Sequence, residues 1–447
     1  MSRPPIPDIS RFNRPPSRAS QRPLTAIQRA PWDHSTSLVL GGALCLLGAI
    51  WGCAPAPTPE PSGLVPGSWR ATLASPGGAI PFGLDLVQTA EGLRAVLVNG
   101  EERRPAGLVE RQGARIRFEL PPYQSAVVAK LDEDGRGLAG YWERDAGEGP
   151  TPLLPFAAVA GTDSKPPATP DPASVALLSG RWRVRFEGDE EDAVGLFKVA
   201  STGRASGTFL TTLGDYRYLS GWFDGEALRL GCFDGAHAFL FEARLGDEGG
   251  LTGDFWSRDS FHTTWVADRD DDATLPDDFA LTRWTEGQHL DGLVFPDVDG
   301  ERRALDELLP PESPGLLVVF GTWCPNCNDL TETLVALHRR YPRLPIAAIA
   351  FELGSDSLKH GEAVRAYIDH HGIDYPVVLG GSASKAVATE ALPILDRVRA
   401  YPTTVFLAPG GRATAVHTGF SGPATGKRHG ALLERFESEI ESLLGHR

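Results

Sequence analysis

Leu316-Leu317-Val318-Val319-Phe320-Gly321-Thr322-Trp323-Cys324-Pro325-Asn326-Cys327 decides how the C-terminal part of this 447-residue chain is read. Five apolar residues in a row predict a strand buried on both faces, as in a parallel sheet. Leu330, Leu334 and Leu337 follow at the spacing of a helix face. Between a strand and a helix, Cys-x-x-Cys reads as redox chemistry. Two intervening residues on a first helical turn bring both sulfurs within disulfide reach. Cys324 then stands at a helix N-terminus, where free N–H groups and the macrodipole favour a thiolate. Pro325 is tolerated there because early helical N–H groups have no partner. Cys327, one turn further in, is the expected resolving thiol. A metal centre needs about four ligands, and His338 alone does not complete one, because there is no second Cys pair.

A second element lies downstream. Tyr401-Pro402-Thr403-Thr404-Val405-Phe406-Leu407 puts a proline at the mouth of an apolar strand. Together with the cysteine motif, and with Phe295-Pro296-Asp297-Val298-Asp299-Gly300 upstream, it makes residues 281–447 resemble the TlpA/ResA group of membrane-tethered, extracytoplasmic thioredoxin-like proteins. The 78 residues from Cys324 to Pro402 match that group's extra central segment. A subset with two β units ahead of the thioredoxin domain shares Tyr401-Pro402-Thr403-Thr404 and His417-Thr418-Gly419-Phe420-Ser421-Gly422-Pro423. The resemblance implies an α/β thioredoxin-like domain and a cis Tyr401–Pro402 bond against the cysteine pair. It also implies a docking groove shaped by Trp323, Tyr401 and Pro402. The implied activity is thiol–disulfide exchange on exported proteins, fed by a membrane electron donor, with no organic cofactor and no metal.

One residue departs from the group. A Glu usually stands three positions after the second Cys, and here that position is Leu330, with Asp329 before it. The position of thioredoxin's buried acid is Val318. Two carboxylates are therefore candidates to move a proton for Cys327. Asp329 is one. Glu352 is the other, because residues 346–351 read as the next strand and Glu352 ends it at the edge where such sheets carry function. His417 reads as a half-exposed strand histidine.

The remaining chain is organised around this domain. Residues 1–37 carry six arginines against two aspartates, a net of +4 in a chain whose formal charge is −15. Leu38 to Gly52 is a short apolar run ending in Cys53. A basic stretch, an apolar core and small residues describe a secretory signal. Ile50-Trp51-Gly52-Cys53 resembles a bacterial lipobox, which implies lipidation of Cys53 and a membrane anchor in the periplasm or its equivalent. An uncleaved anchor is the alternative, although 15 apolar residues span poorly. Residues 54–64 are a Pro-rich, semi-rigid spacer. The acidic remainder repels phosphate backbones, which disfavours nucleic-acid partners.

Residues 65–160 and 175–267 repeat each other. Gly67-Ser68-Trp69-Arg70 recurs as Gly180-Arg181-Trp182-Arg183, and the Trp142 segment recurs around Trp256. Period-2 alternation predicts two antiparallel all-β modules, sandwiches or small barrels. A Pro-rich linker, 161–174, separates them, and an acidic one, 268–280, closes the pair. The repeated tryptophans read as core. Cys232 reads as a buried free thiol. Residues 214–218 and 233–239 have no counterpart in the first copy and read as turns. The function expected is an extracytoplasmic disulfide reductase working through Cys324 and Cys327, supported by Trp323, Pro325, Tyr401, Pro402, Asp329 and Glu352. A disulfide oxidase or isomerase is the first alternative. A lipoprotein binding module with a relay or vestigial thioredoxin fold is the second.

Overall fold

The computed structural model describes residues 63–145, 150–162 and 168–445. The basic segment, the lipobox Cys53 and most of the first Pro-rich spacer lie outside these residues, as does part of the 161–174 linker.

The first module is a nine-stranded antiparallel meander. Its strands are β1 (Gly67–Ser75), β2 (Gly78–Thr89), β3 (Gly92–Asn99), β4 (Glu102–Leu108), β5 (Glu110–Gln112), β6 (Arg115–Leu120), β7 (Ser125–Leu131), β8 (Gly137–Asp145) and β9 (Pro150–Ala160). The spatial order is β4-β3-β2-β1-β9-β8-β7-β6-β5. The ends curl together, so that a Cβ on Gly107 would lie 3.1 Å from the Glu119 nitrogen.

The second module starts with α1 (Pro172–Leu178), capped by Asp171. It continues through β10 (Gly180–Phe186), β11 (Ala193–Val199), β12 (Arg204–Thr211), β13 (Gly214–Asp215), β14 (Leu219–Phe223), β15 (Ala227–Phe233), β16 (Ala238–Leu245), β17 (Leu251–Ser257) and β18 (Phe261–Arg269). Here β11 pairs with β12 and closes eight antiparallel strands into a barrel. Closure removes the sheet's edges.

The repeat is visible in one hydrogen bond made twice. The Trp69 indole donates to the carbonyl of Val65, and the Trp182 indole to that of Leu178, four residues back in each case. Trp69, Trp142 and Trp182 are buried in their modules, and Cys232 is a fully buried free thiol. Trp256 differs. Phe255, not Trp256, points into the second core. Trp256 points outward and covers Gly77 of the first module, where a Cβ would collide with its ring. Counted from the shared Leu-x-Gly at Leu138 and Leu251, it is Phe255 and not Trp256 that falls at the position of Trp142. Phe233, Ala238 and Leu240 of the second module also belong to the first module's core. Phe233 packs 4.9 Å from Phe82 and 5.0 Å, edge-on, from Trp142. The two modules therefore share one apolar seam.

The third part opens with the hairpin β19 (Val294–Pro296) and β20 (Arg302–Ala304), followed by α2 (Leu305–Leu308). It continues with β21 (Gly315–Phe320), α3 (Pro325–Arg340), β22 (Ile346–Glu352), α4 (Ser357–His371), β23 (Val377–Ser382), α5 (Lys385–Ala391), β24 (Thr403–Ala408), β25 (Arg412–Thr418) and α6 (Lys427–Leu443). The sheet order is β23-β22-β21-β24-β25, with β21, β22 and β23 parallel and β24 and β25 antiparallel. This is a thioredoxin-like arrangement. Every residue of β21 and β22 is buried, as an apolar run in a central strand requires. Its core draws only on residues 279–444 and is separate from the cores of the β modules.

The joint between the second module and this domain is not a free spacer. β18 runs on to Arg269, Arg183 holds Asp270 at 2.5 Å, and Ala273 is buried against Val194 and Leu210.

Phe233→Ala should cost about 3–5 kcal/mol, because it empties a site inside the shared seam. The expected result is that both β modules shift together in urea unfolding followed by tryptophan fluorescence. A transition confined to the second module would contradict the shared seam.

Candidate active site

β21 ends at Phe320, and three residues carry the chain to Cys324, the N-cap of α3. Cys324 is extended, with φ −101° and ψ 117°, and Pro325 occupies the first helical turn. Cys324 is 8% exposed and Cys327 is fully buried, and both are free thiols. Burial first, then Cys324 and Glu352, push the Cys327 thiol well above its ordinary range.

The downstream element meets this pair. The Tyr401–Pro402 peptide bond is cis, and the Cys324 Sγ donates to the Tyr401 carbonyl at 3.5 Å. The Trp323 ring stands edge-on to Tyr401 at 5.6 Å, and its indole donates to the Phe351 carbonyl at 2.9 Å. Trp323, Pro325, Tyr401 and Pro402 are thus brought together around Cys324, and all are buried.

The two candidate acids separate. Glu352, at the end of β22, is buried beneath the turn that carries the cysteines. Its carboxylate accepts from the Thr322 amide at 2.9 Å and from the Thr322 hydroxyl at 2.6 Å. Burial pushes its pKa up to about 7, against the pull of those bonds and of the Arg144 charge from the first module. Asp329 does not turn to the cysteines. Its carboxylate is engaged by Arg217 of the second module, and Arg104 of the first lies 3.5 Å away. The carboxylate is taken up by two arginines of the β modules rather than set against Cys327, so Asp329 is corrected from candidate acid to structural ion-pair partner.

His417 is also corrected. It is fully buried, not half-exposed, between Phe279 and Phe436, and its Nε2 lies 3.4 Å from Asp278. It anchors the start of the domain rather than the cysteine edge.

The segments 214–218 and 233–239 are more than turns. Arg217 is 2% exposed and reaches Glu102 at 2.7 Å, Asp234 at 3.8 Å and Asp329. The Asp215 carboxylate accepts from the Gly422 amide at 2.6 Å, and its carbonyl accepts from the Asn326 side chain at 3.4 Å. Gly214 has φ +144°, and a Cβ there would strike Asn326. Arg104, Arg144 and Arg217 were not foreseen as site residues. For Arg217 the available signal was that its segment lacked a counterpart in a chain that otherwise repeats.

A cleft of about 340 Å³ lies between the first module and this site. Tyr123, Gln124 and Arg144 line one wall, and Thr322, Trp323 and Glu352 the other.

No protein-family model matches the chain, and no curated protein matches it. Solved structures do match part of it. A thiol-disulfide oxidoreductase from Bacteroides fragilis is 21% identical, covers 32% of this chain and 99% of its own, with a TM-score of 0.24. A secreted thiol-disulfide isomerase from Corynebacterium glutamicum is 15% identical, covers 37% and 92%, with a TM-score of 0.26. A secreted Mycobacterium tuberculosis disulfide oxidoreductase homologous to E. coli DsbE is 15% identical, covers 32% and 94%, with a TM-score of 0.24.

Glu352 also sets a pH dependence. A carboxyl raised from 4.5 to about 7 on folding stabilises the folded state fully below 4.5 and loses that contribution as pH rises through 7. The shift corresponds to about 3 kcal/mol. Glu352→Gln should lack this loss, so the variant gains on the wild type between acid and mildly alkaline pH. Urea unfolding across that range tests it. Parallel pH profiles for the two proteins would contradict a buried, proton-holding Glu352.

Proposed function

We propose that this protein is an extracytoplasmic thiol–disulfide oxidoreductase, held at a membrane through Cys53, that reduces disulfides in exported proteins. One observation carries the reading. Cys324 caps a helix beside the cis Tyr401–Pro402 bond, with Cys327 buried against it and Glu352 behind the pair.

In the proposed reaction the Cys324 thiolate attacks one sulfur of a substrate disulfide. A mixed disulfide forms, and the first substrate sulfur leaves as thiolate. Cys327 then gives its proton to the Glu352 carboxylate and attacks the Cys324 sulfur. The second substrate sulfur leaves, and the protein is left with a Cys324–Cys327 disulfide. Two electrons have passed to the substrate, and an external thiol or membrane donor must return them. A pKa near 7 suits Glu352 to take that proton and give it up again near neutrality. The reductive direction is supported by the surroundings of Cys327. Burial and a neighbouring carboxylate disfavour its thiolate, so the reduced pair gains little from ionisation on that side.

The test is reduction of insulin disulfides by the full chain with an excess of small dithiol. Cys324→Ser should abolish turnover. Cys327→Ser should stop after the first step and accumulate the mixed disulfide. Glu352→Gln should form the mixed disulfide normally but release product about a hundredfold more slowly. Full turnover by Cys324→Ser would contradict the assignment of Cys324 as the attacking thiol.

A further inference from the structure

The edge that carries Cys324 is covered by the rest of the chain. On the Trp323 side lie Tyr123, Gln124 and Arg144 of the first β module, across the cleft. On the Asn326 side lies the second module's segment 213–217. Gly214 and Asp215 abut Asn326, Leu213 abuts Gly419, and Arg217 holds Asp329. Trp323, Cys324 and Tyr401 are 4%, 8% and 5% exposed in this arrangement. A groove that receives a substrate protein cannot be so covered while it works.

The covering seam differs in kind from the seam between the two β modules. That one is apolar and shares a core. Among the described residues no apolar cluster crosses from the β modules into the thioredoxin-like domain, whose core is built from residues 279–444 alone. The seam over Cys324 is instead made of charges and hydrogen bonds, with Arg217, Arg104, Glu102 and Asp329 at its centre and Glu191 paired with Arg399 at its flank. Polar interfaces between domains of one chain are where relative motion is expected.

The chain between the bodies is pinned on both sides of one residue. Leu275 packs with Ala273 against Val194 and Leu210 of the second module. Asp277 pairs with Arg435 at 3.0 Å, Asp278 with Arg428 at 3.1 Å, and Phe279 lies under the Arg435 guanidinium at 3.6 Å. Pro276 alone separates the two anchorages.

We propose that the two β modules form one rigid cap, hinged at Pro276 and latched by Arg217, that closes Cys324 against folded proteins and must swing away for protein substrates to dock. The inference rests on the reading of Cys324 and Cys327 as the redox pair, but its test reads accessibility and not turnover. The latch is a buried charge network, in which removing one partner strands the others and weakens the closed state strongly. The apolar cores on either side are untouched by that change.

The reduced full chain is treated with a maleimide carrying a bulky polyethylene glycol chain, and modification at Cys324 is followed by peptide mass spectrometry. Wild type should react slowly. Arg217→Ala, with unchanged circular dichroism, should react at least about tenfold faster, because it populates the open form. Equal rates in wild type and folded Arg217→Ala would overturn the proposal. If the variant does not fold, hydrogen exchange on the wild type decides. The proposal requires the Gly422 amide, whose bond to the Asp215 carboxylate crosses the seam, to exchange well before the amides of β10 and β21. Exchange of the Gly422 amide only with global unfolding would overturn it.

Discussion

A guanidinium buried to 2% exposure has to be surrounded by carboxylates, and Arg217 takes them from three parts of the chain. Glu102 comes from the first β module, Asp234 from the second and Asp329 from the helix that begins at the cysteines. Burial works against the charge of Arg217, but Asp329 and Glu102 outweigh it and hold it firmly protonated. The placement of the thioredoxin-like domain against the two β modules depends on this residue, because among the described residues no apolar cluster crosses that seam. The same constraint removes Asp329 from the chemistry. Its carboxylate is turned to Arg217 and Arg104 of the β modules and not to the cysteines.

That division of labour leaves Glu352 to the cysteines. Its position follows from strand β22, whose seven buried residues carry the carboxylate to the sheet's functional edge. Thr322, in the turn just before the motif, binds both carboxylate oxygens and fixes the acid under the loop that presents Cys324. The acid beside the cysteines is thus delivered from a neighbouring strand, not from the helix that begins at them. Arg144, contributed by the first module, opposes the rise in the Glu352 pKa. The first module therefore acts electrostatically on the acid beside the cysteines.

Much of this was legible in the sequence. The apolar run 316–320, the Cys-x-x-Cys and the leucines of α3 specified a strand, a turn and a helix, and the structure has them in that order. Period-2 alternation and the repeated tryptophans marked two β modules, since strand periodicity and buried indoles are local properties of the chain. What escaped was long-range. Trp256 was matched to Trp142, but counted from the shared Leu-x-Gly it is Phe255 that stands at the Trp142 position and points into the core, while Trp256 turns outward. Segments 214–218 and 233–239 carry ordinary turn chemistry, as the Asp234 carboxylate bonding the Ala236 and His237 amides shows. Turn signals do not say what the turn touches. The choice between Asp329 and Glu352 could not be made from spacing, because the partner that claims Asp329 lies 112 residues away.

The reductive direction of the exchange is the claim on which the functional account turns, and the reduction potential of the Cys324–Cys327 pair tests it most directly. The full chain would be equilibrated against defined thiol buffers and the two redox forms quantified. The account predicts a value near or below about −250 mV, as for a dithiol that donates electrons. A value above about −180 mV would contradict it and make the pair an acceptor of electrons, suited to oxidation or isomerisation of exported proteins.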